Sequence, residues 1–299
     1  MFYFESMEYH KPVLLKEVLE YLDPQKGDVV VDATFGFGGH SREILRRIGS
    51  AGKLVAIEKD AEILSYDKDE FTAKTAKNVY LINDDFKNVS EILEKLKIKK
   101  INRILFDLGI SSYHFDESGR GFSFQRDEPL DMRISRTQQY QASDLVNSLN
   151  EKELADLIYT LSDEYNSRRI AKAIIEARRK QRITTSMRLK EIIETVVKRS
   201  SKISPATKTF QALRIATNDE LKKIIATLPK IIEFLAEDGR IAVISFHSGE
   251  DRIIKNIFKS LKEEGKVTIL TKKPLVATEQ EIKDNPRSRS AKLRVAQRR

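Results

Sequence analysis

Hydrophobic residues follow two different rhythms along this chain. In the first 110 residues, and again near residue 240, they come as short unbroken runs rich in β-branched side chains; between those regions they recur every three or four positions. The unbroken runs predict strands covered on both faces, and the wider spacing predicts amphipathic helices. "GDVVVDATFGFGGHSREILRRI" reads as a buried strand on Val29, Val30 and Val31, then a glycine turn, then a helix. "KLVAIEKD", "NVYLIND" and "INRILFDLG" give three more strands. "GRIAVISFHS" gives another, with the helix "NDELKKIIATLPKIIEFLAEDG" before it and "GEDRIIKNIFKSLKEEG" after it. Strands alternating with helices predict a parallel sheet in an α/β fold.

The long stretch between the fourth strand and the late one carries no strand pattern. "NEKELADLIYTLS" starts on Asn150 as an N-cap with Glu153 three residues on, a capping-box spacing. "NSRRIAKAIIEARRK" puts Ile170, Ile174 and Ala177 on one face and leaves Arg168, Arg169, Lys172, Arg179 and Lys180 for the other, and "SMRLKEIIETVVKRS" is a third helix. The pattern therefore predicts a helical module at 115–205, inserted between two parts of a sheet domain, 1–114 and 206–299. "RGFSFQRDEPLDMR", Arg120 to Arg133, follows neither period and mixes aromatics with charges of both signs. The C-terminal "NPRSRSAKLRVAQRR" reads as irregular or strand-like, pinned by contacts or by a ligand.

Composition narrows the class. Of 299 residues 40% are hydrophobic, enough for a sizeable core, and the absence of cysteine excludes disulfides and thiolate metal sites. No apolar run approaches the ~20 residues that span a bilayer, and the N-terminus lacks a basic-then-apolar leader pattern. A cytoplasmic protein with no membrane association is expected. The net charge of +9 is unevenly placed: residues 164–208 hold 13 Lys/Arg against 4 Asp/Glu, and residues 283–299 hold 7 against 1, leaving the remainder acidic. Two basic segments are what a polyanion-binding surface requires, although solvated helix faces would give the same count.

The chemistry gathers at strand ends. Gly36, Gly38 and Gly39 in "DATFGFGGHS" allow close backbone approach of a ligand at a helix N-terminus, the usual ligand edge of an open α/β sheet. A dinucleotide fingerprint needs a third glycine where Ser41 stands; with Asp32 just before the turn, the arrangement is commoner in S-adenosylmethionine sites. Glu58 ends the second strand, where a carboxylate accepts hydrogen bonds from ribose hydroxyls. Asp85, or the backbone beside it, is placed to take an adenine amine, Phe86 to pack on the adenine ring, and Asp107 ends the fourth strand.

At this point the motifs resemble one family, the bacterial ribosomal RNA small subunit methyltransferase H (MraW-type) enzymes. The matching strings, in order from residue 10 to 294, are "HKPVLLKEVL", "DATFGFGGHS", "DLGISS", "RGFSF", "PLDMR", "RRIAKAI", "PATKTFQALRI", "NDEL", "GRIAVISFHSGEDR" and "NPRSRSAKLR". The resemblance implies a Rossmann-like S-adenosylmethionine-dependent methyltransferase sheet with an inserted all-helical domain. It implies methyl transfer from S-adenosyl-L-methionine to the N4 amine of a cytidine in the decoding centre of 16S rRNA, in the small ribosomal subunit. Members are often dimeric, so a homodimer is an expectation. Carried over, the cofactor contacts fall on Gly38, Gly39, His40, Glu58, Phe86, Asp107 and His114. The chain departs from the family pattern at Glu58 (usually Asp), His114 (usually Gln), Ser204 (usually His) and Gly249 (usually Leu), and it lacks the usual Gly-Glu-Glu before Arg168.

For the target amine, which is a poor nucleophile, a site needs near-attack geometry and oxygen acceptors on its N–H groups. Candidates are Ser111, Ser112, Asp131 and the carbonyls of Leu108 and Gly109. The best bets for the catalytic groups are Asp131, Ser111 and Arg133; Arg133, with Arg120 and Arg126, is also a candidate for phosphates, unless Arg133 and Asp131 only pair with each other. Phe122 or Phe124 would stack on a base or plug the module. His247 either faces the site or is a hydrogen-bonded strand-end residue, and His10 is structural or near the substrate entrance. No two histidines have metal-site spacing on a helix, so no metal is expected. A nicotinamide dehydrogenase is disfavoured by the incomplete fingerprint. The alternative is a non-enzymatic RNA-binding or ribosome-assembly factor retaining the fold.

Overall fold

The computed structural model describes residues 11–65, 78–198 and 204–299; His10 lies outside them. The chain divides into two compact units, 1–109 with 221–299, and 110–220. The first unit opens with α1 (Leu15–Leu22), β1 (Val29–Asp32), α2 (Gly39–Ile48), β2 (Lys53–Glu58), β3 (Val79–Asn83), α3 (Val89–Lys95) and β4 (Ile101–Asp107). The second holds α4 (Ser112–Asp116), α5 (Ala142–Ser148), α6 (Glu151–Ser162), α7 (Ser167–Lys180), α8 (Ser186–Val196) and α9 (Thr207–Asn218). The chain returns through α10 (Glu220–Ile231), β5 (Leu235–Ser245), α11 (Ser248–Glu263), β6 (Val267–Ile269), β7 (Leu275–Val276), α12 (Glu279–Asp284) and β8 (Lys292–Arg298).

The sheet runs β3-β2-β1-β4-β5-β8-β6, with β7 also paired to β8. Strands β1 to β5 pair in parallel, and β8 runs antiparallel to β5, β6 and β7. This is a Rossmann-like α/β sheet. Its unbroken apolar runs are explained by cover on both faces. Val31, Val55, Ile57, Phe106 and Val243 join a core with Ile224 and Leu228 of α10 and Ile254 and Phe258 of α11, while Val30, Leu54, Leu105 and Ile244 join Val18 of α1 and Ile44 of α2. The strand order reverses between β1 and β4, the switch point at which open α/β sheets bind ligands.

One sequence expectation is corrected. "LAEDG", read as the end of a helix, opens β5: Asp238 takes φ 59°, and the pairing register with β4 shifts between Ile101 and Arg103. The C-terminal segment, expected to be irregular or strand-like and pinned by contacts or by a ligand, contains a strand that pairs within the sheet. Leu293 and Val295 are fully buried in β8, Arg294 Nε donates to Asp251 Oδ1 at 2.6 Å, and Arg298 donates to the carbonyls of Ile232, Glu233 and Leu235. Arg294 and Arg298 are thereby internal ties.

The helical unit has its own core, in which Leu154 and Ile158 of α6, Ile170 and Ile174 of α7, Leu189 and Ile193 of α8, and Phe210 and Leu213 of α9 are buried. The capping box expected at Asn150 is present, with Glu153 N donating to Asn150 Oδ1 at 2.9 Å and Asn150 N to Glu153 Oε2 at 3.0 Å. The sequence reading ended this module at 205. The compact unit runs on to 220 because α9 packs against α6 within it. No helix of the described residues is long and apolar enough to cross a membrane.

Candidate functional site

The carboxyl ends of β1, β2 and β4 carry three acids, Asp32 and Glu58 buried and Asp107 partly buried. Asp32 Oδ2 accepts from the Ser41 hydroxyl at 2.6 Å and Oδ1 from Thr34 N at 3.2 Å. Glu58 reaches back to the glycine turn: Oε2 accepts from Gly36 N at 2.9 Å, and Oε1 from Asp60 N at 2.7 Å. Gly38, at φ 72°, caps α2 in the left-handed region that glycine adopts without strain. His40, 5% exposed, sets its Nε2 3.0 Å from the Val13 carbonyl, so Nε2 carries a proton, and its Nδ1 lies 3.6 Å from Asp107 Oδ2. Asp107 N donates to Thr34 Oγ1 at 2.6 Å, while Asp107 Oδ1 is buried with no hydrogen-bond partner.

Burial dominates the electrostatics. It pushes the Asp32 carboxyl up to about 6 against its hydrogen bonds, and Glu58 up to about 7, with Asp60 and Asp32 adding repulsion. Asp107 is raised well above the usual carboxylate range, first by burial, then by Asp32 and Glu250. Both Asp32 and Glu58 therefore hold protons in the folded chain that the unfolded chain releases. Stability from this source is complete below the unfolded values of 3.8 and 4.5 and is lost as pH rises through about 6 and about 7. Glu58→Gln removes one contributor. Its ligand-free melting temperature is expected to fall less than that of the wild type between about pH 5 and about pH 8 in scanning calorimetry; parallel curves would contradict the assignment.

Beyond β3, Phe86 meets Phe106 edge-on at 5.7 Å. The expectation that Asp85 takes an adenine amine is corrected for its side chain. Oδ1 accepts from Lys87 N at 3.2 Å, and Oδ2 sits 2.6 Å from Lys223 Nζ and 3.5 Å from Lys59 Nζ. Burial alone would raise this carboxyl, but the two ammonium groups outweigh it and hold its pKa low. Lys223 lies 138 residues away in sequence, so no local pattern pointed to it. His247 caps α11: its Nδ1 accepts from Glu250 N at 3.3 Å, and buried Glu250 accepts from Phe246 N at 2.8 Å.

The remaining candidates belong to the helical unit. His114 is 3% exposed, with Nδ1 2.9 Å from Ser111 Oγ and its ring 5.1 Å from Phe122; Ser112 opens α4. The Arg120–Arg133 loop is tied to itself. Arg120, 1% exposed, donates to the carbonyls of Arg133 and Ile134 at 3.0 and 2.6 Å, which corrects its assignment to phosphates. Arg133 holds Asp131 through two bonds, of 2.7 and 2.9 Å, and Asn218 bridges Met132 O and Ile134 N. A Cβ on Gly121 would stand 2.3 Å from Pro129 O, so only glycine fits there. Phe122 is buried in this unit's core, and partly buried Phe124 packs against that core, on Phe210 at 4.9 Å. Arg126 keeps half its side chain exposed while pairing with Glu128 at 3.1 Å.

The donor set at the sheet edge suits an adenosyl cofactor with a cationic centre. The Glu58 carboxyl, whose oxygens accept from Gly36 N and Asp60 N, has the acceptor chemistry that a ribose diol needs, the α2 N-terminus suits a carboxylate, and the unpartnered Asp107 oxygen among raised-pKa acids suits a positive charge.

The comparisons with known proteins place the chain by sequence. The Dictyoglomus thermophilum ribosomal RNA small subunit methyltransferase H is 46% identical over 291 residues, 97% of each chain. The proteins of the same name from Caldicellulosiruptor saccharolyticus (96% of this chain, 98% of the relative) and from the Culex pipiens Wolbachia strain (97% and 99%) are each 45% identical. Solved structures are more distant: an rRNA methylase from Streptococcus thermophilus covers 95% of this chain and 93% of its own at 12% identity and a TM-score of 0.44. The assignment therefore rests on sequence, where the model of the MraW methylase family matches residues 7–299, and the chain belongs to that family.

Proposed function

We propose that this enzyme transfers the methyl group of S-adenosyl-L-methionine to the N4 amine of a cytidine in the decoding centre of 16S rRNA, within the small ribosomal subunit. The observation that carries the reading is the near full-length match to relatives named ribosomal RNA small subunit methyltransferase H. The cofactor supplies an electrophilic methyl on a sulfonium. In this reading Gly38, Gly39 and His40 line its approach, Glu58 takes the ribose hydroxyls, Phe86 packs the adenine, and Asp107 faces the cationic end. His114 is the remaining cofactor contact of this reading, and Ser111, Asp131 and Arg133 belong to the substrate side. The Asp131–Arg133 pair holds the backbone of its loop and acts by positioning.

The test is methyl incorporation from labelled cofactor into small subunits from cells lacking the native modification, followed by nucleoside analysis. N4-methylcytidine is the expected product. Label on another base or another position would overturn the N4 reading, and no label from folded protein would favour an assembly factor that keeps the fold.

A further inference from the structure

Tyr165 is the most solvent-exposed large hydrophobic side chain of the described residues, at 81%, and Tyr159 beside it is 49% exposed. The two rings lie 6.0 Å apart at an interplanar angle of 66°. They are held in place. Tyr165 sits in the turn between α6 and α7, and buried Glu164 fixes that turn by accepting from Asn166 N at 2.8 Å and Asn166 Nδ2 at 3.0 Å. Lys208, at the start of α9, donates to the Asp163 carbonyl at 2.8 Å and stands 5.7 Å from the centre of the Tyr165 ring. The first two turns of α7 then present Arg168, Arg169 and Lys172, all exposed. Two large rings exposed side by side form an apolar patch of the kind that marks binding sites, and Lys208 against one ring, with three exposed cations on the helix that follows, favours a polyanion.

We propose that Tyr159 and Tyr165 form a stacking platform for unpaired bases of the substrate RNA, with Lys208, Arg168, Arg169 and Lys172 meeting the flanking phosphates. The proposal rests on the RNA reading given above and adds a recognition surface to it. Duplex RNA keeps its bases inside the helix, whereas a single strand offers π-faces that aromatic side chains accept with little regard to sequence. The 66° angle between the rings excludes a sandwich of one base and favours two successive bases, one per ring. The rigid turn lowers the ordering cost of binding.

The chain contains no tryptophan, so Tyr165→Trp places a single reporter on the platform. Its fluorescence is expected to be quenched by a short single-stranded RNA of mixed sequence and not by a duplex. The double variant Tyr159→Ala/Tyr165→Ala is expected to bind the single strand about tenfold or more weakly, with its melting temperature unchanged. If the wild type binds single-stranded RNA and the double variant binds it equally well, the platform is overturned and the RNA reading stands. If the wild type binds neither single strand nor duplex, the RNA reading fails first. A double variant that keeps RNA affinity but loses self-association in sedimentation would assign the tyrosines to a protein contact and overturn the proposal.

Discussion

A chain ending at Ala291 is expected to lose its folded sheet, not just its affinity for RNA. The residues removed, Lys292–Arg298 and the terminal Arg299, include a strand that lies between β5 and β6 and pairs with both. Burying Leu293 and Val295 contributes ~1.5–3 kcal/mol each. Deletion would also free the ladder edge of β5 and leave Asp251 without the Arg294 and Lys292 that hold its carboxyl below its usual range against partial burial. Against a domain stability of about 5–15 kcal/mol, these losses together exceed what the unit can absorb. The measurement is soluble yield and a cooperative thermal transition. The milder Leu293→Ala should lower stability by ~2–5 kcal/mol and remain foldable. A truncated chain that melts cooperatively at the wild-type temperature would show that β8 is dispensable.

The tail shows where sequence reading stops. Lys292, Arg294 and Arg298 alternate with Leu293 and Val295, a strand pattern too short to separate from irregular chain, and its count of cations resembles an RNA-binding arm. Only the pairing partners Asp251 and the carbonyls at 232–235 decide between the two, and those lie far away in sequence. The parallel strands were legible because unbroken runs such as Val29–Val31 have one physical explanation, burial on both faces. The ends of those strands were legible for a related reason: Glu58, Asp85 and Asp107 are acids placed where an apolar run stops. What each acid does was not. Asp85 and Asp107 look alike in sequence, yet Lys59 and Lys223 neutralise the first while the second keeps an oxygen without a partner. The loop from Arg120 to Arg133 was conspicuous for its mixed composition. Two of its arginines, Arg120 and Arg133, turn out to be spent on the carbonyls of Arg133 and Ile134 and on Asp131, because a segment without ladder bonds must satisfy its backbone through side chains.

That difference between the two acids gives the second large expectation. Asp107→Asn keeps the shape of the side chain and removes its ability to carry charge. Binding of S-adenosylmethionine, measured by calorimetry, is expected to weaken 10- to 100-fold, because a hydrogen bond to a charged group is worth ~1.5–3 kcal/mol. Stability of the ligand-free protein should move the other way. Asp107 is held well above the ordinary carboxylate range by burial, so the wild type loses stability as pH rises toward that raised value, and the asparagine variant does not. The variant should therefore melt no lower than the wild type, with a gap that widens as pH increases. A third readout separates charge from packing. A cationic ligand favours the ionised carboxyl, so binding to the wild type should release a proton, and the calorimetric enthalpy should vary with the ionisation enthalpy of the buffer. In Asp107→Asn that part of the proton release should disappear. Weakened binding with the proton release unchanged would mean that Asp107 only shapes the strand end, and the charge would then have to be met by Asp32 or Glu58.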